Sequence, residues 1–103
     1  MKQGRIDASA QVRWRFEHEK SNRKLISGQV YGANLRFEND DTLWSVAIQL
    51  NKPPDSDQNQ IVDLGFLFRE NLEDKLAIGR LIYIFEGPEK LVAEGKIISV
   101  NKL

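Results

Sequence analysis

Apolar and polar side chains alternate along most of this chain with a period of two. In IDASAQVRWRFE, Ile6, Ala8, Ala10, Val12, Trp14 and Phe16 fall on one side, and Asp7, Ser9, Gln11, Arg13, Arg15 and Glu17 fall on the other. Successive side chains of a strand point to opposite faces, so this run predicts a long strand with one buried face. The polar run HEKSNRK that follows reads as a connection turning at Ser21-Asn22. A second strand region covers residues 25–38, in which Tyr31, Ala33, Leu35 and Phe37 alternate with Gly32, Asn34, Arg36 and Glu38. Gly28 and Gly32 predict a bulge or sharp bend there. Asn39-Asp40-Asp41 supplies the next turn, and Trp44, Val46, Ile48 and Leu50 mark a third strand.

The polar, proline-containing stretch NKPPDSDQNQ reads as a surface loop. Residues 61–68 resume a strand, with Val62, Leu64, Phe66 and Phe68 on one side. RENLEDKLAIG has room for one helical turn and reads as a loop that carries Leu72, Leu76 and Ile78 back over the core. Residues 80–86 and 91–100 form the last two strands around a Glu86–Lys90 turn, where Pro88 lacks the donor that a central ladder needs. Leu81-Ile82-Tyr83-Ile84-Phe85 is apolar on both faces, which predicts an outer cover from a loop or a partner, and Gly95 is expected to mark a bulge. Six strands with little helical periodicity leave open edges unless the sheet closes. The expected fold is therefore all-β: a single domain, residues 1–103, forming a small closed six-stranded antiparallel Greek-key barrel.

The order of segments resembles the third domain of translation elongation factors Tu and 1-alpha. The most specific match is IGRLIYIFEGPEKLVAEGKIISV. That family has a glycine before an apolar strand, a Glu-Gly turn, and a short returning strand with Val, a small residue and Gly. Here those elements fall at Gly79, residues 81–85, Glu86-Gly87 and Val92-Ala93-Glu94-Gly95. The first strand, the charged turn around residues 19–24 and the segment 31–37 follow the family in layout. Tyr31-Gly32-Ala33-Asn34-Leu35 departs from its Tyr-Arg-Pro-Gln-Phe segment, and no Pro-Gly-Asp turn precedes Ile61. The resemblance implies a six-stranded barrel that works through contacts with protein and aminoacyl-tRNA.

Composition narrows the chemistry. Fifteen Lys and Arg balance fifteen Asp and Glu, so no global charge draws the chain to nucleic acid or anionic lipid. There is no cysteine, which excludes disulfides and thiolate chemistry and fits a reducing cytoplasm. MKQGRIDASAQ has no signal-peptide core, and no apolar run reaches the ~20 residues of a membrane helix. No phosphate loop ending in Lys-Ser/Thr occurs. His18 is the single histidine, and Asp55 with Asp57 lacks the remaining ligands of a calcium loop, so no metal or other cofactor is expected. His18 with Ser21, or Glu86, Glu89 and Glu94, offers no oriented acid and base. No catalytic residue is assigned, and the chain reads as a non-enzyme.

The candidate binding surface consists of Arg13, Arg15 and Arg36, on one outward face if their strands pair, together with Tyr83. The competing reading makes those arginines ion-pair partners of Glu17 and Glu38. Trp14 and Trp44 are in register with aliphatic residues and read as core. The expected role is a protein-interaction module; the alternatives are an RNA-binding module and a structural oligomerisation domain.

Overall fold

The period-two pattern becomes six strands in the computed structural model, which describes residues 6–15, 30–50, 59–68, 70–87 and 89–101. They are β1 (Ala8–Trp14), β2 (Val30–Phe37), β3 (Trp44–Leu50), β4 (Asn59–Phe66), β5 (Leu81–Glu86) and β6 (Lys90–Val100). Burial follows the alternation: in β3 every second residue from Trp44 to Leu50 is buried. Trp14 and Trp44 both face the core, as their register requires.

Every pairing is antiparallel, and the order β1-β4-β3-β2-β5-β6 closes through β6 and β1. Strands β2, β3 and β4 form a meander with β1 beside β4, which is a Greek key. Closure pairs the backbone groups that an open sheet would leave as two free edges. It also places β4 and β5 on opposite sides of the barrel, so the segment joining them must cross the barrel end.

That segment is the loop expected over the core. Leu72 and Leu76 are buried in it, and the Lys75 and Leu76 N–H groups donate to the Leu72 carbonyl at 2.8 and 3.2 Å. These bonds close the single helical turn the sequence has room for; no helix forms among the described residues. Two expectations fail here. Phe68 is 67 % exposed, although the alternation put it on the side of Val62, Leu64 and Phe66, and Ile78 is 71 % exposed, although the loop was expected to carry it over the core. Phe68 lies beyond the end of β4, where no ladder holds the alternation. Ile78 precedes Gly79, whose φ of 92° turns the chain while its N–H donates to the Ile97 carbonyl at 2.7 Å.

Beneath the loop, the rings of Phe37, Trp44 and Phe66 meet at centroid distances of 6.0 to 6.1 Å. Buried Asp7 ties the strand ends together: its carboxylate accepts the Phe66 N–H at 2.8 Å, and its backbone carbonyl accepts from Asn101 at 2.9 Å.

The bulges fall where the glycines do not. Gly28 lies outside the described residues, and Gly32 pairs regularly with Ala47. The register slips instead around Val92, between the pairs Ile84↔Ala93 and Phe85↔Leu91, and around Ile98, between Ala10↔Ile97 and Ser9↔Ser99. Gly95 has another role. A Cβ there would stand 2.1 Å from the Gln11 carbonyl oxygen and 2.7 Å from the Val12 Cα, so its missing side chain lets β6 press against β1.

Candidate functional site

Once the inward face is set by burial, alternation directs Gln11 and Arg13 of β1, Leu81, Tyr83 and Phe85 of β5, and Glu94 and Lys96 of β6 outward. Strands β1 and β2 do not pair, so the expected route for bringing Arg13, Arg15 and Arg36 together is absent. The chain links them another way. Arg36 is opposite Tyr83, Tyr83 opposite Glu94, Glu94 opposite Arg13, and Arg13 opposite Asn59. This transverse row crosses β2, β5, β6, β1 and β4. Tyr83 is its bridge, and Glu94 is the member that sequence reasoning did not include, because its place depends on which strand lies beside which.

The arginine partners also differ from those expected. Arg15 pairs with Glu94 at 3.6 Å, and Arg36 approaches Asp41 at 4.0 Å. Glu17 lies outside the described residues, while Glu38 accepts the Leu81 N–H at 3.2 Å. The Arg36 guanidinium stands 5.2 Å from the Tyr83 ring centroid and 5.8 Å from that of Phe85. The outer side of β5 is thus covered in part by an arginine, which satisfies its aromatic faces through cation–π attraction. Leu81 remains 41 % exposed.

Between β5, β6 and β1 this surface sinks into a cleft of ≈ 390 Å³. Gln11, Arg13, Leu81, Tyr83, Glu94 and Lys96 line it, together with Asn59, Val12 and Gly95. The depression coincides with the place where Gly95 allows β6 to sink toward β1. Neither Arg13 nor Lys96 has an ion-pair or hydrogen-bond partner among the described residues, and the Tyr83 hydroxyl makes no hydrogen bond among them.

A second recess, of ≈ 440 Å³, lies under the end-crossing loop between Thr42, Trp44, Glu70, Asp74 and Lys75. The Trp44 Nε1 is buried there without a hydrogen-bond partner. Beside it, Lys75 pairs with Asp40 at 2.5 Å, and Asp40 also accepts the Thr42 N–H at 3.0 Å. The Lys75 hydrogen bond, followed by that from the Thr42 backbone, lowers the Asp40 carboxyl from 3.8 to about 2.

The residues considered for catalysis are either engaged in other contacts or not convergent. Glu86 accepts the Tyr31 hydroxyl at 2.5 Å and pairs with Lys90 at 3.8 Å; Glu94 is engaged by Arg15, and Glu89 is exposed. His18, Ser21, Asp55 and Asp57 lie outside the described residues. No group of three His, Cys, Asp or Glu is placed to hold a metal among the described residues. Nor, among them, is any helix long and apolar enough to cross a membrane. In comparison with known proteins, no family model and no curated protein matches the chain.

Proposed function

We propose that this chain is a non-catalytic protein-interaction module that binds through the β5–β6–β1 face. The observation that carries the reading is the cleft in which Tyr83, exposed Leu81 and Arg13, which has no partner among the described residues, meet. Tyrosine and arginine dominate the energetic centres of protein interfaces, because each combines a large contact area with directional hydrogen bonding. The half-apolar rim supplies area to bury, and the unpaired cations supply direction.

Charge order favours protein over RNA. Along the row, Arg36 is followed by Tyr83, then Glu94, then Arg13. A phosphate backbone laid along that path would pass a carboxylate at its centre, whereas a protein surface carries both signs. The resemblance to the third barrel of elongation factors Tu and 1-alpha supports an interaction role as well. Its most specific stretch forms β5, the Glu86-Gly87 turn and β6, two of the three strands around the cleft. The lack of cysteine fits a role in the reducing cytoplasm.

The test is photo-crosslinking from position 83, with p-benzoylphenylalanine replacing Tyr83 in cells that make the protein. A protease-sensitive, nuclease-resistant adduct is the expected product. A nuclease-sensitive adduct whose yield falls steeply with salt would replace this reading with RNA binding. An adduct between two copies of the chain, with a mass that rises with concentration in light scattering, would replace it with self-assembly.

A further inference from the structure

We infer that the partner presents a short extended acidic segment, with an Asp or Glu held between two apolar residues at spacing apolar-x-acidic-x-apolar. This rests on the protein-interaction reading and goes one step beyond it, to what the cleft recognises.

The charge of the cleft sets the sign of the partner. Arg13 and Lys96 line the cleft on either side of its one lining carboxylate, Glu94, which also pairs with Arg15 at 3.6 Å. The chain as a whole is neutral, so the excess on this face is balanced elsewhere: Glu38 is held by the Leu81 N–H at the edge of the cleft, and Asp40, Asp41, Glu70, Glu73 and Asp74 gather toward the β2–β3 turn and the end-crossing loop. A partner meeting the cleft therefore sees a local positive field that the net charge conceals. Arg13 is opposite Glu94, and Lys96 lies two residues further along β6, so the two unpaired cations are diagonal neighbours about 7–8 Å apart at the backbone. A carboxylate entering between them gains charge-assisted hydrogen bonds from both.

The register sets the spacing. Leu81 is opposite Lys96, Lys96 opposite Gln11, and Gln11 opposite Ile61. Leu81 and Ile61, 41 % and 50 % exposed, thus flank the polar pair from either side. They are three strand spacings apart, about 14 Å, and an extended peptide covers that distance in about four residues. Residues i, i+2 and i+4 of such a peptide point to the same side. Apolar side chains at i and i+4 then reach Leu81 and Ile61, while an acidic side chain at i+2 reaches Lys96 and Arg13. Around the cleft β5, β6 and β1 are each paired on both sides, so the segment crosses these strands and is held by its side chains.

The experiment is a display selection of random dodecapeptides against the whole chain, with a random single-stranded RNA pool selected in parallel. Enriched peptides are expected to carry Asp or Glu flanked at two residues on either side by Leu, Ile, Val or Phe. Synthetic copies should lose at least tenfold in affinity on Arg13→Glu or Lys96→Glu, and less on Arg13→Gln or Lys96→Gln. Both positions are outside the core, so circular dichroism and the melting temperature separate loss of binding from loss of fold. Enriched peptides that lack the acidic residue, or that bind the charge-reversed variants equally well, overturn this inference. So does the absence of any enriched peptide. The protein-interaction reading survives those results if position 83 still crosslinks to protein. It falls with the inference if the RNA pool is enriched instead and the position-83 adduct is nuclease-sensitive.

Discussion

Two tryptophans occupy equivalent places in the alternation and differ in what their N–H groups meet. Trp14 donates to the Gln60 side-chain oxygen at 2.8 Å inside the barrel, whereas Trp44 Nε1 is buried with no acceptor among the described residues. An unmet buried donor costs about 1–3 kcal/mol. Trp44→Phe removes that cost along with some packing, and the two nearly offset, so urea denaturation should give a change within about 1 kcal/mol. Trp14→Phe breaks a made bond and leaves a gap, and should lose roughly 2–4 kcal/mol. Equal losses in the two variants would mean that Trp44 also finds an acceptor in solution. Gly95 gives a sharper case. Its added Cβ meets backbone rather than the end of a side chain, so Gly95→Ala should destabilise by at least about 1–3 kcal/mol and disturb amide shifts on β1 as well as β6. Gly32, with nothing near its Cβ position, should accept alanine with little change in stability. Neither difference is visible in a string of letters, since both depend on what another strand places nearby.

The end-crossing loop is where sequence reading succeeded in part. Its apolar residues were expected to cover the core, and Leu72 and Leu76 do. Ile78 does not, because Gly79 turns the chain at the rim. Leu72→Ala should therefore cost about 2–5 kcal/mol, while Ile78→Ala stays within about 0.5 kcal/mol. The loop is also held by the Asp40–Lys75 pair, which makes its stability depend on acid. The Asp40 carboxyl is lowered from 3.8 to about 2 in the folded chain, so the folded state binds this proton less readily than the unfolded state. The stabilisation is complete above pH 3.8 and disappears as pH falls through about 2. Wild type should exceed Asp40→Asn in urea midpoint by a constant margin above that window, and the two should converge within it. A margin that persists at pH 2 would assign the effect to the Asp40 geometry rather than its charge. The bulges of β6 show the opposite outcome for sequence reading: Val92 and Ile98 look like ordinary strand residues, and only the curvature of a closing barrel requires a slip beside them.

For the whole molecule, closure joins the two ends of the described chain. Ala8 pairs with Val100 and Trp14 with Ala93, so the β1–β6 contacts join residues separated by most of the chain. Loop entropy must be overcome before such contacts contribute, which makes barrels of this kind fold in milliseconds to seconds rather than microseconds. Stopped-flow refolding followed by tryptophan fluorescence should show that range, and a microsecond phase carrying the full amplitude would contradict it. The same closure assembles the candidate site. Arg36 and Arg13 are on strands that never touch, and they belong to one surface because β5 and β6 lie between them.

Alternation by itself determined the number of strands, which side of each strand faces inward, and the all-β class, because a period of two depends only on local backbone geometry. It also indicated closure, since six half-buried strands without helices leave few other ways to remove their edges. Tertiary structure decided the strand order, and with it every neighbour across a pair. That order put Glu94 beside Tyr83 and Arg13, left Arg13 and Lys96 without a partner among the described residues, and sank a cleft beside Gly95. The physical reason is the range of the interactions. The direction of a side chain is set within two residues, whereas its partner is set by a strand that can come from the far end of the chain.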